Sequence, residues 1–430
     1  MRFRAFDVAA ATGGRLVGPD VLLDGVSFDS RTTRPGQLFV PLVAERDGHA
    51  YIDAALERGA AAYLTSLGAR GRTAVEVPDT LQSLMALATA MRSRFGGPVV
   101  GITGSVGKTS TKDLALAALS ASRRTWANER SFNNEQGLPT TLLNTPEGTE
   151  VLVVEMGMRG FGEITALCDI ARPSIGVVTR VAEAHSDRLG GIEGVARAKA
   201  ELVQALPPDG TAILNADDER VRRMTSLTDA NVLLFGEAVD ADVRAVEVRL
   251  DDMARASFRA LTPWGDADVH LAASGRHMVT NALASLAVVG AVGADVGRGA
   301  VALADAGLSA MRMEVVRAPS GVLLLNDAYN ANPTSMRAGL DALVALSAGR
   351  RFAVLGVMAE ISDAPAEHAR VGAYARSLGV ELVVVGTDLY GVTPTDDPFG
   401  ALGSLSSGDA VLVKGSRVVG LERVVAQLLL

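Results

Sequence analysis

The apolar positions of this chain fall into short runs whose spacing changes along its length. Residues 1 to 80 alternate "RLVG", "VLLDGVSF" and "QLFVPLV" with one stretch of helical spacing, "YIDAALERGAAAYL". That mixture predicts a small α/β unit with turn-rich connections. A helical pattern, "TLQSLMALATAMRSRF", then leads into "GGPVVGITG", where an apolar strand meets a glycine turn. From 81 to 311, strand-like runs ("VLVVEMG", "IGVVTRV", "TAILNAD", "NVLLFG") alternate with helical segments, which predicts a mainly parallel sheet with helices on both faces. "DVRAVEVRL" and "ASFRALT" read as an antiparallel addition before the helix "HMVTNALASLAVVGAVG". From 312 to 430, "GVLLLND", "RFAVLGVM", "ELVVVG" and "AVLVKG" repeat the alternation as a Rossmann-like unit. The expected fold class is α/β in three domains: 1–80, 81–311 and 312–430.

The glycine turn carries the first candidate chemistry. The usual phosphate loop sets its first glycine five residues before the Gly-Lys pair. In "GITGSVGKTS" that position is Ile102. What remains is Gly104-Ser105-Val106-Gly107-Lys108-Thr109-Ser110, between a strand and a helix. That context turns backbone N–H groups toward an anion, aims a lysine at the β and γ phosphates, and offers the Thr109 hydroxyl to Mg²⁺. The bland alternative is a glycine turn capping an ordinary helix. Nucleotide binding alone does not separate kinases, ATPase switches and ligases.

Charge narrows the partners. With 41 basic and 49 acidic residues the net charge is −8, so the chain offers no general field for nucleic acid or anionic lipid. The single cysteine, Cys168, fits a reducing compartment. The start lacks a continuous apolar segment, and no stretch approaches the roughly 20 apolar residues that span a bilayer. A cytoplasmic location is expected.

Of the 41 basic residues only Lys108, Lys112, Lys199 and Lys414 are lysines. A retained lysine marks a place that needs a compact ammonium or a primary amine, unless chance and codon bias explain it. Lys199 stands inside the apolar stripe of "GIEGVARAKAELVQALPPDG", formed by Ile192, Val195, Ala196, Leu202, Val203 and Leu206. Desolvation there favours the neutral amine, which can take up CO₂ and become a Mg²⁺-holding carbamate. The alternative is a lysine snorkelling at the helix edge. Glu155, ending the run "VLVVE", and His185, after "IGVVTRV", are candidates for a second metal position at strand ends. A surface loop histidine is the alternative for His185.

The loop, "EMGMRGFGEI", "ARAKAEL", "GRHMVTNALA", "NDAYNANP" and "VLVKGSR", in this order, resemble the Mur ligase family, over essentially the whole chain. "SFNNEQGLPTTLLN" and "DAYNANPTSM" are most similar to the branch that adds D-alanyl-D-alanine to UDP-N-acetylmuramoyl tripeptide. The resemblance implies an ATP-dependent amide ligase of peptidoglycan precursor synthesis, working through an acyl phosphate as a monomer. Lys108, Lys199 and Arg312 would be its catalytic residues. It puts the UDP end of the acceptor near Ser30 and Arg31, and makes Asn133, Asn134, Glu135 and Asn332 substrate contacts. Gly104, Ser105, Gly107, Lys108, Thr109 and Ser110 would hold the ATP phosphates. Asn281 would contact adenine, Asp327 the ribose and Arg312 the γ-phosphate. Thr109, Glu155, His185 and a carbamylated Lys199 would hold Mg²⁺. Lys414, Ser416 and Arg417 would meet the incoming dipeptide. Met278, Met311 and Val357 depart from the family pattern, where asparagine, glycine and an acidic residue respectively are usual. The rival readings are a sister ligase adding diaminopimelate or lysine to a UDP-muramoyl dipeptide, and a P-loop ATPase switch.

Overall fold

The computed structural model describes residues 1–129, 132–183 and 189–430. The chain packs into two compact units: 1–101 with 124–158 and 162–174, and 102–123 with 159–161 and 175–430.

In the first unit, strands Val26–Ser27, Leu38–Phe39, Ala62–Thr65 and Ala74–Glu76 are parallel, and Arg15–Val17 closes the edge antiparallel. Phe39, Ile52, Ala55, Ala60, Tyr63 and Ala74 form a core on this sheet. The predicted helix over "TLQSLMALATAM" is Thr80–Met91, capped by the Asp79 carboxylate accepting from the Gln82 N–H. It buries Thr80, Ser83, Leu84, Leu87, Ala88 and Met91, the three- and four-residue spacing of one helical face. Strand Val151–Glu155 runs parallel to Thr125–Ala127 and is buried along its whole length.

The second unit holds the expected parallel series, Ile175–Val178, Thr211–Asn215 and Asn231–Gly236. Val243–Leu250 joins it in parallel through only two residue pairs, then pairs antiparallel with Arg255–Leu261, which pairs antiparallel with Ala267–Ser274. The apolar helix "HMVTNALASLAVVGAVG" is Met278–Ala291; it packs against Lys108–Ser120 and is buried on nearly every face. A second sheet follows in the order Glu314–Arg317, Leu323–Asp327, Ala410–Lys414, Arg351–Leu355, Glu381–Val384, parallel except for its first pair. The fold is therefore mixed α/β with mainly parallel sheets. No helix among the described residues is long and apolar enough to cross a membrane.

Candidate active site

The glycine turn lies between the strand Val99–Thr103 and the helix Lys108–Ser120. Two of its glycines are required by close approach. A Cβ on Gly104 would sit 1.9 Å from the Thr179 hydroxyl, and one on Gly107 2.5 Å from the Asn281 side-chain oxygen. Both have positive φ, 152° and 85°, which an L side chain rarely adopts. The Lys108 ammonium donates to the Gly104 carbonyl at 2.7 Å, folding back over the turn. Thr109 and Ser110 are buried at the start of the helix.

A supporting layer holds this turn in shape. The Thr179 hydroxyl donates to the Val106 carbonyl at 2.6 Å, and the Ser105 N–H donates to the Arg180 carbonyl at 2.7 Å. The Ser105 hydroxyl donates to the Ala182 carbonyl and accepts from the Ala182 N–H. Residues 179–182 are pinned from behind by Asn215, whose amide donates to the Thr179 carbonyl, and by Asp218, which accepts from the Val181 N–H. Sequence reasoning missed Thr179, Asn215 and Asp218; the available signal was the polar string "NADD" directly after an apolar strand.

Asn281 is buried beside the turn, accepting from the Thr111 hydroxyl at 3.4 Å and donating toward the Met278 sulfur at 3.4 Å. His277, one residue before that helix, is pushed down to about 4 by burial; the Asp327 charge opposes the shift and the Lys414 charge adds to it. The buried Lys112–Asp113 pair (2.9 Å), which sequence reasoning also left aside, reaches the chain before Arg312: Asp113 accepts from the Ser309 N–H at 2.7 Å.

The residues after 311 form a second group in the same unit. The Arg312 guanidinium stacks over the Tyr329 ring, 4.1 Å from its centroid. Met311 and Met313 flank it at φ 60° and 51°. The positive φ at Met311 explains why glycine suits that position. Asp327 accepts from the Met313 N–H and from the Lys414 ammonium, the latter at 2.5 Å, and Lys414 also donates to the Asn330 carbonyl at 2.9 Å. Lys414 is 1% exposed, and these two partners take two of the three N–H donors of its ammonium. The Ser416 hydroxyl accepts from the Ala359 N–H. Arg417 is exposed, 3.1 Å from the Met311 sulfur. Asn332 is buried as the N-cap of the helix Pro333–Ala345, in a capping box with Ser335.

Lys199 lies on the helix Ile192–Gln204, which ends before Pro207 as expected, and is 3% exposed. The amine does not reach solvent, which removes the snorkelling alternative. In the first unit, Glu155 ends its strand fully buried, with its carboxylate accepting from the Asn133 amide at 2.7 Å and its N–H bonded to Asn128. Asn134 and Glu135 are exposed beside it, the Asn134 side chain accepting from the Gly137 N–H. Ser30 is half-buried, and the exposed Arg31 pairs with Asp29 at 2.7 Å. His185 lies outside the described residues.

This geometry can hold a chain of phosphates against backbone N–H groups and one ammonium, and comparison with known proteins says which family uses it. The Mur ligase middle domain matches residues 102–289, and the Mur ligase glutamate ligase domain matches residues 311–398. A Mycobacterium tuberculosis protein named UDP-N-acetylmuramoyl-tripeptide--D-alanyl-D-alanine ligase is 42% identical over 397 residues, covering 84% of this chain and 77% of its own. The crystal structure of MurF from Acinetobacter baumannii superposes with a TM-score of 0.89 at 27% identity, covering 100% of this chain and 99% of that one. That of MurF ligase from Thermotoga maritima in complex with ADP gives 0.82 at 29% identity, covering 94% and 96%. On this similarity of sequence, spanning both matched domains, the first of which contains the phosphate turn, the chain belongs to the Mur ligase family.

Proposed function

We propose that this protein joins D-alanyl-D-alanine to the terminal carboxylate of UDP-N-acetylmuramoyl-tripeptide, using ATP and releasing ADP and phosphate. The observation that carries the reading is the glycine cradle closed by Lys108 and Thr179, in a chain whose relatives are named for this ligation. A carboxylate is a poor acyl donor until one oxygen becomes a good leaving group. Transfer of the γ-phosphoryl group of ATP to that oxygen gives an acyl phosphate. The dipeptide amine then attacks the carbonyl carbon, the C–O bond to phosphate breaks, and the amine proton is lost to solvent.

No protein nucleophile is required, so the residues act by position and charge. Backbone N–H groups of the turn and the Lys108 ammonium hold the β and γ phosphates. Arg312 contributes a second positive charge to the transferring group, and Asn281 and Asp327 orient the nucleoside. Ser30 and Arg31 hold the UDP end of the acceptor, and Asn133, Asn134 and Glu135 its peptide. Domains 1–80, 81–311 and 312–430 divide acceptor, ATP and dipeptide among them. The substrates, a nucleotide sugar and ATP, locate the reaction in the cytoplasm.

The chain suits Mg²⁺ as cofactor. Among the described residues no three His, Cys, Asp or Glu side chains converge as a metal cage. An ion at the turn would rest on the Thr109 hydroxyl and the nucleotide phosphates, the oxygen-rich arrangement Mg²⁺ favours. When bound it offsets charge on the transferred phosphoryl group. The buried Lys199 would supply a further oxygen donor as a carbamate, formed when its amine adds CO₂ and releases a proton.

The deciding experiment is a mass-spectrometric ligation assay with ATP and Mg²⁺. UDP-muramoyl tripeptide with D-alanyl-D-alanine is run beside UDP-muramoyl dipeptide with diaminopimelate or lysine. Product in the first mixture alone is expected. Product in the second alone moves the protein to the sister step, and ATP turnover without ligation returns it to a switch.

A further inference from the structure

A cleft of about 480 Å³ opens in the second unit between residues 180–183 and 217–220 on one side and the helices Pro333–Ala345 and Ala364–Ser377 on the other. Its volume falls within the roughly 300–1,000 Å³ of small-molecule sites. Most of its charges are already satisfied. Asp217 accepts from the Glu237 and Ala238 N–H groups, and Asp218 from those of Val181, Arg220 and Val221. Glu219 pairs with Arg223, Arg220 with Glu193, and Glu367 with Arg370.

Three charges are left over. The side chains of Arg180 and Glu183 have no hydrogen-bond or ion-pair partner among the described residues, and that of Arg337 has only the Tyr374 ring, 6.0 Å away. Two guanidinium groups and one carboxylate without countercharges therefore line one cleft, a charge pattern that suits a small zwitterion. The cleft adjoins the phosphate turn, because the backbone of Arg180 and Ala182 is what the Ser105 N–H and hydroxyl bind. Of the two cations expected to meet the dipeptide, Lys414 is already bonded to Asp327 and the Asn330 carbonyl, and the exposed Arg417 lies against the Met311 sulfur.

We propose that this cleft receives the incoming dipeptide, with Arg180 and Arg337 holding its carboxylate and Glu183 facing its amine. The proposal rests on the ligase reading above. A guanidinium can bond a carboxylate through two parallel N–H donors, which fixes orientation as well as charge. It also gives a reason to reject a dipeptide whose carboxylate has been capped.

The test compares D-alanyl-D-alanine with its C-terminal amide, which keeps the nucleophilic amine and loses the carboxylate. In the intact enzyme kcat/KM is expected to favour the acid by roughly tenfold to a hundredfold, the range of a charged hydrogen bond. In Arg337→Gln and in Arg180→Gln that preference falls toward unity through KM for the dipeptide. Arg337→Lys and Arg180→Lys, which keep the charge, retain part of it. The ratio within one enzyme cancels any general loss of activity, and the two sites are read independently. An acid preference that survives in both glutamine variants overturns the proposal, as does an intact enzyme indifferent to the amide. A rise in KM for ATP with the preference unchanged assigns the arginines to the nucleotide and also overturns it. An intact enzyme that ligates neither dipeptide overturns the ligase reading itself, a result distinct from these.

Discussion

Lysine is rare in this chain, and where it occurs it is mostly buried: Lys112 and Lys199 are 3% exposed and Lys414 1%. A buried ammonium loses hydration that only a close partner restores. Lys112 has Asp113 and Lys414 has Asp327, and Lys199 is buried on the helix Ile192–Gln204. Lys199→Ala is expected to lose most ligase activity, and added formate, a small carboxylate, to restore part of it. Full activity in the unrescued variant would remove the carbamate from the mechanism. His277 carries a second residue-level consequence. Its folded value of about 4 lies below its ordinary 6.5, so between these pH values the unfolded chain binds more protons. Stability contributed by neutral His277 is complete above about pH 6.5 and is lost as pH falls through about 4, by up to about 3 kcal/mol. Urea titrations at steps from pH 7 to pH 4 should show a shallower decline in His277→Gln than in the parent; parallel curves would count against it.

At the scale of elements, periodicity and stop signals carried far. The helix Ile192–Gln204 ends before its prolines, and Thr80–Met91 buries the face its spacing predicts. The antiparallel pairing of "DVRAVEVRL" with "ASFRALT" was also legible, since both alternate in polarity. The parallel attachment of Val243–Leu250 to its other neighbour was not, because two residue pairs leave no pattern. Asn332 shows how one residue's reading depends on its element. Read in sequence as a substrate contact, it is spatially the cap of Pro333–Ala345, its side chain accepting from the Ser335 N–H at 2.9 Å. Asn332→Ala should cost about 1 kcal/mol in thermal unfolding, and Asn332→Ser much less. If the serine variant keeps its stability but loses ligation, the asparagine serves the substrate as well as the helix.

For the molecule as a whole, a nucleotide bound to the native state alone raises stability by mass action. ADP with Mg²⁺ at about 100 times its Kd should add about 2.7 kcal/mol. Hydrogen exchange should slow most at residues 104–110 and 179–182, the turn and the strand end that cradles it. Protection absent from both would mean that the nucleotide binds elsewhere. The sequence by itself determined what is local: the phosphate turn, the strand and helix periods, the family strings, and the scarcity of lysine. Each depends on neighbours within a few positions, and a single chain records those directly. Tertiary structure alone decided that Thr179, about 70 residues on, shapes the turn, that Lys414 pairs with Asp327, and that Arg180 and Arg337 share a cleft. Those outcomes depend on contacts across 70 to 160 residues, where the partner of a polar group is fixed by packing rather than by spacing.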